Sequence, residues 1–321
     1  MLSTNNLFSY ATSELSQDAF IAWLLSHALE ENRKINPTLT ECALEFLHKV
    51  KGLESITHID KIIQQIDKID ILIQGDGFEL IIEDKTYTNT HDNQIFNYIE
   101  ARANKNGDDK KIFSVLYKIV EQPNKEKDVD FEFTRIILLD IFRKYRSKAN
   151  NAIFSDYVDF LEDIEAKTQS YKNLPIAQWN ADAYRGFFCH LDNELKLNSV
   201  YWGYQPNRSG GFQCYSWGFI DRKELNRIGI TEDYLGEIYL QLENDIIAVK
   251  MTSGNDRDKV KEIRYKLFDY FKENISDFTK KKFRGGESMT VGFVQYNEKN
   301  YEERINEMQK VANKLKGTKL L

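Results

Sequence analysis

The chain has 321 residues, 41% of them hydrophobic and 29% charged, and 44 Lys and Arg against 50 Asp and Glu give a net charge of −6. Four prolines and 16 glycines exclude a fibrous or extensively disordered chain. A chain of this length buries roughly 75% of its unfolded surface, so its core requires neither disulfides nor a structural metal. The length predicts two domains, or one large domain with an extension. Taken alone, the acidity argues mildly against a nucleic-acid partner, because phosphate neutralisation needs Lys and Arg; a local basic patch matters more than the sum. Cys42, Cys189 and Cys214 are far apart and form no CxxC pair. Reduced cytoplasmic thiols are therefore expected, rather than a zinc ribbon or a disulfide framework. No apolar run reaches the length of a membrane span. The start, MLSTNNLFSY, shows neither a basic n-region nor an apolar h-region, so a cytoplasmic protein without membrane association is expected.

In chain order, Phe20, Trp23, Leu24 and Ala28 recur at helical spacing behind Ser13 or Ser16, either of which can cap a first helix. Pro37 interrupts, and Thr40 opens a second helix over 41–50. From Ile56 the pattern turns to β-branched strands. KIDILIQGDGFELIIEDKTYT reads as a hairpin with arms 68–74 and 78–86 around Gly75-Asp76-Gly77. A helix over 90–104, strands 112–120 and 133–139, and a helix over 153–168 follow. The best boundary lies near residue 172. Beyond it the pattern predicts a helix over 182–195, aromatic strands 200–205, 212–219 and 237–251, a charged helix 257–273, a strand 289–296 and a last helix 301–315. The expected class is α/β for residues 1–172, with an α+β domain over 173–321.

The informative feature is the hairpin. Alternation puts Glu83 and Lys85 on one face of their strand, with Asp84 opposite, and pairing of the arms can bring Asp70 beside Glu83. Two adjacent carboxylates repel unless something compensates, and a hard divalent cation is the natural compensator. A lysine two residues on would sit beside it and could orient a water or stabilise charge developing on a phosphate. The bland alternative is an exposed Asp70 and a surface ion pair between Glu83 and Lys85, worth at most about 1 kcal/mol.

The order Asp70, then Glu83-Asp84-Lys85 after a 12-residue gap, resembles the PD-(D/E)XK nuclease superfamily. Gln94 and Tyr98 resemble the Q-x-x-x-Y helix of several of its branches. Glu14, Gln17 and Asp18, followed by Trp23, Leu24 and Leu25, resemble a bacterial branch of uncharacterised proteins that opens with an E-x-x-Q-D helix. Ile69 stands where the nominal motif has proline. The resemblance covers residues 8 to 170 and implies a restriction-endonuclease-like αβββαβ core. It implies Mg²⁺ or Mn²⁺ on Asp70 and Glu83, with the carbonyl of Asp84 as a third ligand and Glu14 as an auxiliary one. Lys85 would be the catalytic lysine, and Gln94 would place substrate or Lys85. The implied function is metal-dependent hydrolysis of phosphodiester bonds, in DNA; a homodimer is left open. The alternatives are a non-catalytic nucleic-acid-binding protein on the same fold, or a protein-interaction module, for example in phage defence.

In the second half, YWGYQPNRSGGFQCYSWGF reads as a hairpin aromatic on both arms. One face belongs to the core; the other is a candidate stacking platform for bases. Between 257 and 284 ten Lys and Arg stand against five acids, and the densest part, Lys280, Lys281, Lys282 and Arg284, is a candidate clamp for a phosphate backbone, with Tyr98 as a further candidate contact.

Overall fold

In the computed structural model the chain divides into two units, Met1–Ala166 and Lys167–Leu321. The described residues are all except 1, 3, 87–92, 107–108, 124–128, 198, 200, 208–209, 221, 228, 231–235, 254–256, 280–286, 297–298 and 315–321.

The first unit runs α1 (Glu14–Ser26), α2 (Pro37–Leu47), β1 (Lys61–Ile66), β2 (Ile69–Gly75), β3 (Phe78–Lys85), α3 (Gln94–Asn106), β4 (Lys111–Lys118), β5 (Phe131–Thr134), α4 (Arg135–Ala149) and α5 (Ala152–Gln169). Its sheet has the order β1-β2-β3-β4-β5. The pairs β1–β2 and β2–β3 are antiparallel, while β3–β4 and β4–β5 are parallel. Strands β2 and β3 are buried almost throughout because both their faces are covered. Ile71, Ile73, Leu80 and Ile82 join the main core with Phe20, Leu24, Phe46 and Phe142. Leu72 and Ile81 pack on the other face with Tyr98 and Ile99 of α3. The two-residue turn between β2 and β3 requires Gly77, which takes φ +71°.

Two expectations for this unit are corrected. Pro37 does not interrupt a helix but opens one: Asn36 caps α2 by accepting the Leu39 N–H, and proline sits in the first turn, where its missing N–H is no loss. The strand expected over 133–139 ends at Thr134. The run Ile136-Ile137-Leu138-Leu139 is continuously apolar and looks like a strand locally. However, Thr134 takes the cap position of α4, with its hydroxyl toward the Ile137 N–H, and Leu138, Leu139, Ile141 and Phe142 bury one helical face. Arg135, 1% exposed, pins that helix start to Glu121 and Glu165.

The second unit runs α6 (Ala181–Asn193), β6 (Tyr201–Asn207), β7 (Gly210–Trp217), α7 (Arg222–Arg227), β8 (Ile238–Glu243), β9 (Ile246–Thr252), α8 (Arg257–Asn274), β10 (Ser288–Gln295) and α9 (Tyr301–Lys314). Its sheet, β10-β9-β8-β7-β6, is antiparallel throughout. The single strand expected over 237–251 is in fact the hairpin β8–β9, because Asn244 adopts φ +35° and turns the chain. Trp202, Tyr215, Trp217, Leu240 and Val249 enter a core with Phe187, Phe188, Leu267 and Phe271. Asp192 on α6 ties that core to the sheet by accepting hydrogen bonds from the Ser199 hydroxyl (2.7 Å), the Trp202 indole (2.8 Å) and the Tyr215 hydroxyl (2.6 Å). The protein is thus mixed α/β with two five-stranded sheets, and no described helix is long and apolar enough to cross a membrane.

Candidate active site

The register pairs Ile71 with Ile82 and Leu72 with Ile81, so one further step sets Asp70 opposite Glu83. Both then lie on the sheet face that α3 covers, together with Lys85. Asp70, Glu83, Lys85, Gln94 and Tyr98 line one cleft of about 530 Å³, with Lys68 at its edge. Glu83 is 1% exposed, which excludes the surface ion pair. Lys85 Nζ lies 2.6 Å from Glu83 Oε1. Gln94 Nε2 donates to that same oxygen at 2.6 Å and lies 2.8 Å from the Tyr98 hydroxyl. Gln94 therefore holds Glu83, whereas the resemblance implied a hold on Lys85 or substrate.

The spacing of α3 explains how one helix serves the strand. Gln94, Tyr98 and Arg102 are four residues apart and form one stripe. Eight residues of helix advance about 12 Å and four residues of strand about 13 Å. Gln94 thus meets Glu83 while Arg102 meets Glu79, with Nε–Oε2 at 2.8 Å.

Helix α1 approaches from the opposite face. Glu14, Gln17 and Asp18 share one side of it. Glu14 Oε1 accepts the Thr86 N–H at 3.1 Å. Gln17 donates to Asp84 Oδ1, and its carbonyl accepts from the Tyr157 hydroxyl at 3.2 Å. The Tyr157 and Tyr117 hydroxyls meet at 2.9 Å. Asp84 turns its carboxylate toward Gln17 and away from the cleft, so its backbone alone is left for the ligand role expected of it. That backbone donates its N–H to Asp70 Oδ2 at 2.9 Å.

Negative charge is crowded here. Burial, with a further contribution from Asp70, pushes the Glu83 carboxyl up to about 7 against the opposing hydrogen bonds of Lys85 and Gln94. Burial raises Asp84 well above the usual carboxylate range, and the neighbouring Asp18 adds to it. Asp18 itself is raised, first by burial and then by the charge of Asp70. For Lys85, burial lowers the ammonium pKa, but the hydrogen bond and charge of Glu83 outweigh it and the net shift is upward. Three buried carboxylate oxygens, Glu83 Oε2, Asp84 Oδ2 and Asp18 Oδ1, have no hydrogen-bond partner among the described residues.

An orphaned, buried Glu83 oxygen beside a second carboxylate in an open cleft fits a hard divalent cation that keeps most of its waters. Asp70 and Glu83 are the side chains that would hold it. Among the described residues no group of three or more His, Cys, Asp and Glu side chains is placed to hold a metal ion.

Asp18 and Lys68 join this region without having been singled out as site residues. Asp18 was legible in the E-x-x-Q-D segment; Lys68 stands two residues before Asp70, at the start of the expected arm 68–74. Lys280, Lys281, Lys282 and Arg284 lie outside the described residues. Within the same basic stretch, Arg264 is buried at 4% exposure and Lys266 pairs with Glu262 at 2.9 Å, so neither is a free surface cation. No protein-family model matches this chain, and no curated protein or solved structure matches it.

Proposed function

We propose that the N-terminal unit is a restriction-endonuclease-like, PD-(D/E)XK-type nuclease that hydrolyses phosphodiester bonds, in DNA, with Mg²⁺ or Mn²⁺. The observation that carries this reading is the placement of Asp70 opposite Glu83 with Lys85 on the same face, all lining one cleft. Held by Asp70 and Glu83, the cation would supply a Lewis acid and a water of lowered pKa. Gln94 and Lys85 fix Glu83 Oε1 from two sides, which directs its other oxygen elsewhere. The Lys85 ammonium is held charged by its acidic neighbours and is suited to stabilise negative charge that develops on a phosphate. The Asp84 N–H fixes the orientation of Asp70. Gln17 anchors the Asp84 side chain from behind.

The test is cleavage of supercoiled and linear duplex DNA with Mg²⁺ or Mn²⁺ by the full chain. Lys85→Ala and Asp70→Ala are each expected to lower the rate by roughly 10²–10⁴-fold, with circular dichroism unchanged. Full activity in either variant overturns the assignment.

One observation favours a second reading, a non-catalytic nucleic-acid-binding role: no three-residue metal set stands among the described residues. Nucleic-acid binding without cleavage, and without Mn²⁺ uptake in calorimetry, would establish it over the first.

A further inference from the structure

The sheet of the second unit has one face in the core, and its other face builds a cavity of about 420 Å³, within the roughly 300–1,000 Å³ typical of ligand pockets. The register explains the hollow. Tyr201, Ser216, Gln241, Ala248 and Phe293 form one row across β6 to β10, in which the small Ser216 and Ala248 flank Gln241. Just past the Trp217–Leu240 pair the chain leaves β7 through Gly218, at φ +64°, which has no side chain. The floor is polar and buried: Ser216 is 5% exposed and Gln241 7%. Gln241 Nε2 donates one N–H to Ser216 Oγ at 2.9 Å; among the described residues its second N–H and its carbonyl are left to the cavity. Lys250 is held by Glu243 at 3.1 Å and by Thr290 at 3.2 Å, and it also lines the hollow. The walls are aromatic: Tyr201 and Phe219 are 40% and 39% exposed, and the Phe219 and Tyr239 rings lie 5.9 Å apart at 53°.

We infer that this cavity receives an unpaired nucleobase of a single-stranded stretch of nucleic acid, stacked on Tyr201 and Phe219 and read at its edge by Gln241. Exposed large rings on a soluble sheet are matched by a flat π-face, and a primary amide on the floor by a planar donor–acceptor edge; a nucleobase carries both. An acyl chain would leave the second N–H and the carbonyl of Gln241 buried without partners. A lone phosphate would make no use of the rings, and Lys250 is already engaged by Glu243. The inference rests on the reading of this chain as one that acts on nucleic acid, and it makes an unpaired base part of what the protein recognises.

The test is fluorescence anisotropy of the full chain in EDTA, with oligothymidylate, oligoadenylate and an abasic strand of equal length. The natural strands are expected to bind more tightly than the abasic one. Tyr201→Ala and Phe219→Ala should each weaken that binding roughly tenfold and leave the abasic strand's affinity unchanged, while Tyr201→Phe retains it. Gln241→Leu should change the ratio between the two bases. Both rings are half-exposed, so truncation spares the core, and thermal melting checks it. Equal affinity for the abasic strand overturns the proposal, as does indifference to both alanine variants. So does an oligosaccharide that binds in a Tyr201-dependent way where oligonucleotides do not. Cleavage is scored separately with Mn²⁺. Cleavage without base-dependent binding removes this inference alone, and base-dependent binding without cleavage removes the nuclease alone.

Discussion

Glu79 and Glu83 lie on the same face of the same strand under the same helix, and they are solved differently. Glu79 is 0% exposed and takes two bonds from the Arg102 guanidinium, at 2.8 Å each, with the Gln74 amide at 2.7 Å. Its charge is matched by a planar fork that fits a carboxylate. Glu83 is equally buried, but its neighbourhood holds Asp70, and Lys85 must serve both. Asp84, Asp18 and Glu14 add further acid behind the sheet. One end of β3 is a closed ion pair that holds the fold; the other is left short of positive charge, with an orphaned buried oxygen. Crowding of this kind persists where function compensates for it, and an incoming cation is the compensation we propose.

The largest expected effect lies at the closed end. Arg102→Ala strands a buried carboxylate and should lower stability by about 3–5 kcal/mol in urea unfolding. Replacing both partners, Glu79→Leu with Arg102→Met, should return stability close to the wild-type value, because desolvation offsets most of a buried pair's attraction. A small effect of Arg102→Ala would break the contrast. At the open end, Mn²⁺ at one hundred times its dissociation constant should stabilise the chain by about 2.7 kcal/mol, visible as a rise in Tm. Asp70→Asn should abolish that rise; a rise of equal size in the variant would place the cation elsewhere. The smallest effect is opposite in sign to that of Arg102→Ala. Without divalent cation, Asp70→Asn should stabilise the chain by about 1 kcal/mol, since asparagine keeps an oxygen for the Asp84 N–H and removes a charge facing Glu83. Destabilisation there would show that Asp70 is a structural residue like Glu79.

The sequence by itself determined the hairpin and what its end carries. A Gly77 turn between two β-branched arms leaves one workable register, and strand alternation then puts Asp70, Glu83 and Lys85 on one face. The Gln94–Tyr98 spacing likewise follows from helical period alone. Local pattern failed where a neighbour decided the outcome. Ile136 to Leu139 have the composition of a strand, but Thr134's cap and the ion pairs of Arg135 start a helix there. The long apolar run after Glu237 hides a turn because Asn244 accepts a left-handed conformation without glycine. Gln17 reaches Asp84 only because elements distant in sequence converge. Tertiary structure alone also separated Glu79 from Glu83. Both read as acids on a strand, but whether a buried charge is balanced depends on which side chains the packing brings to it.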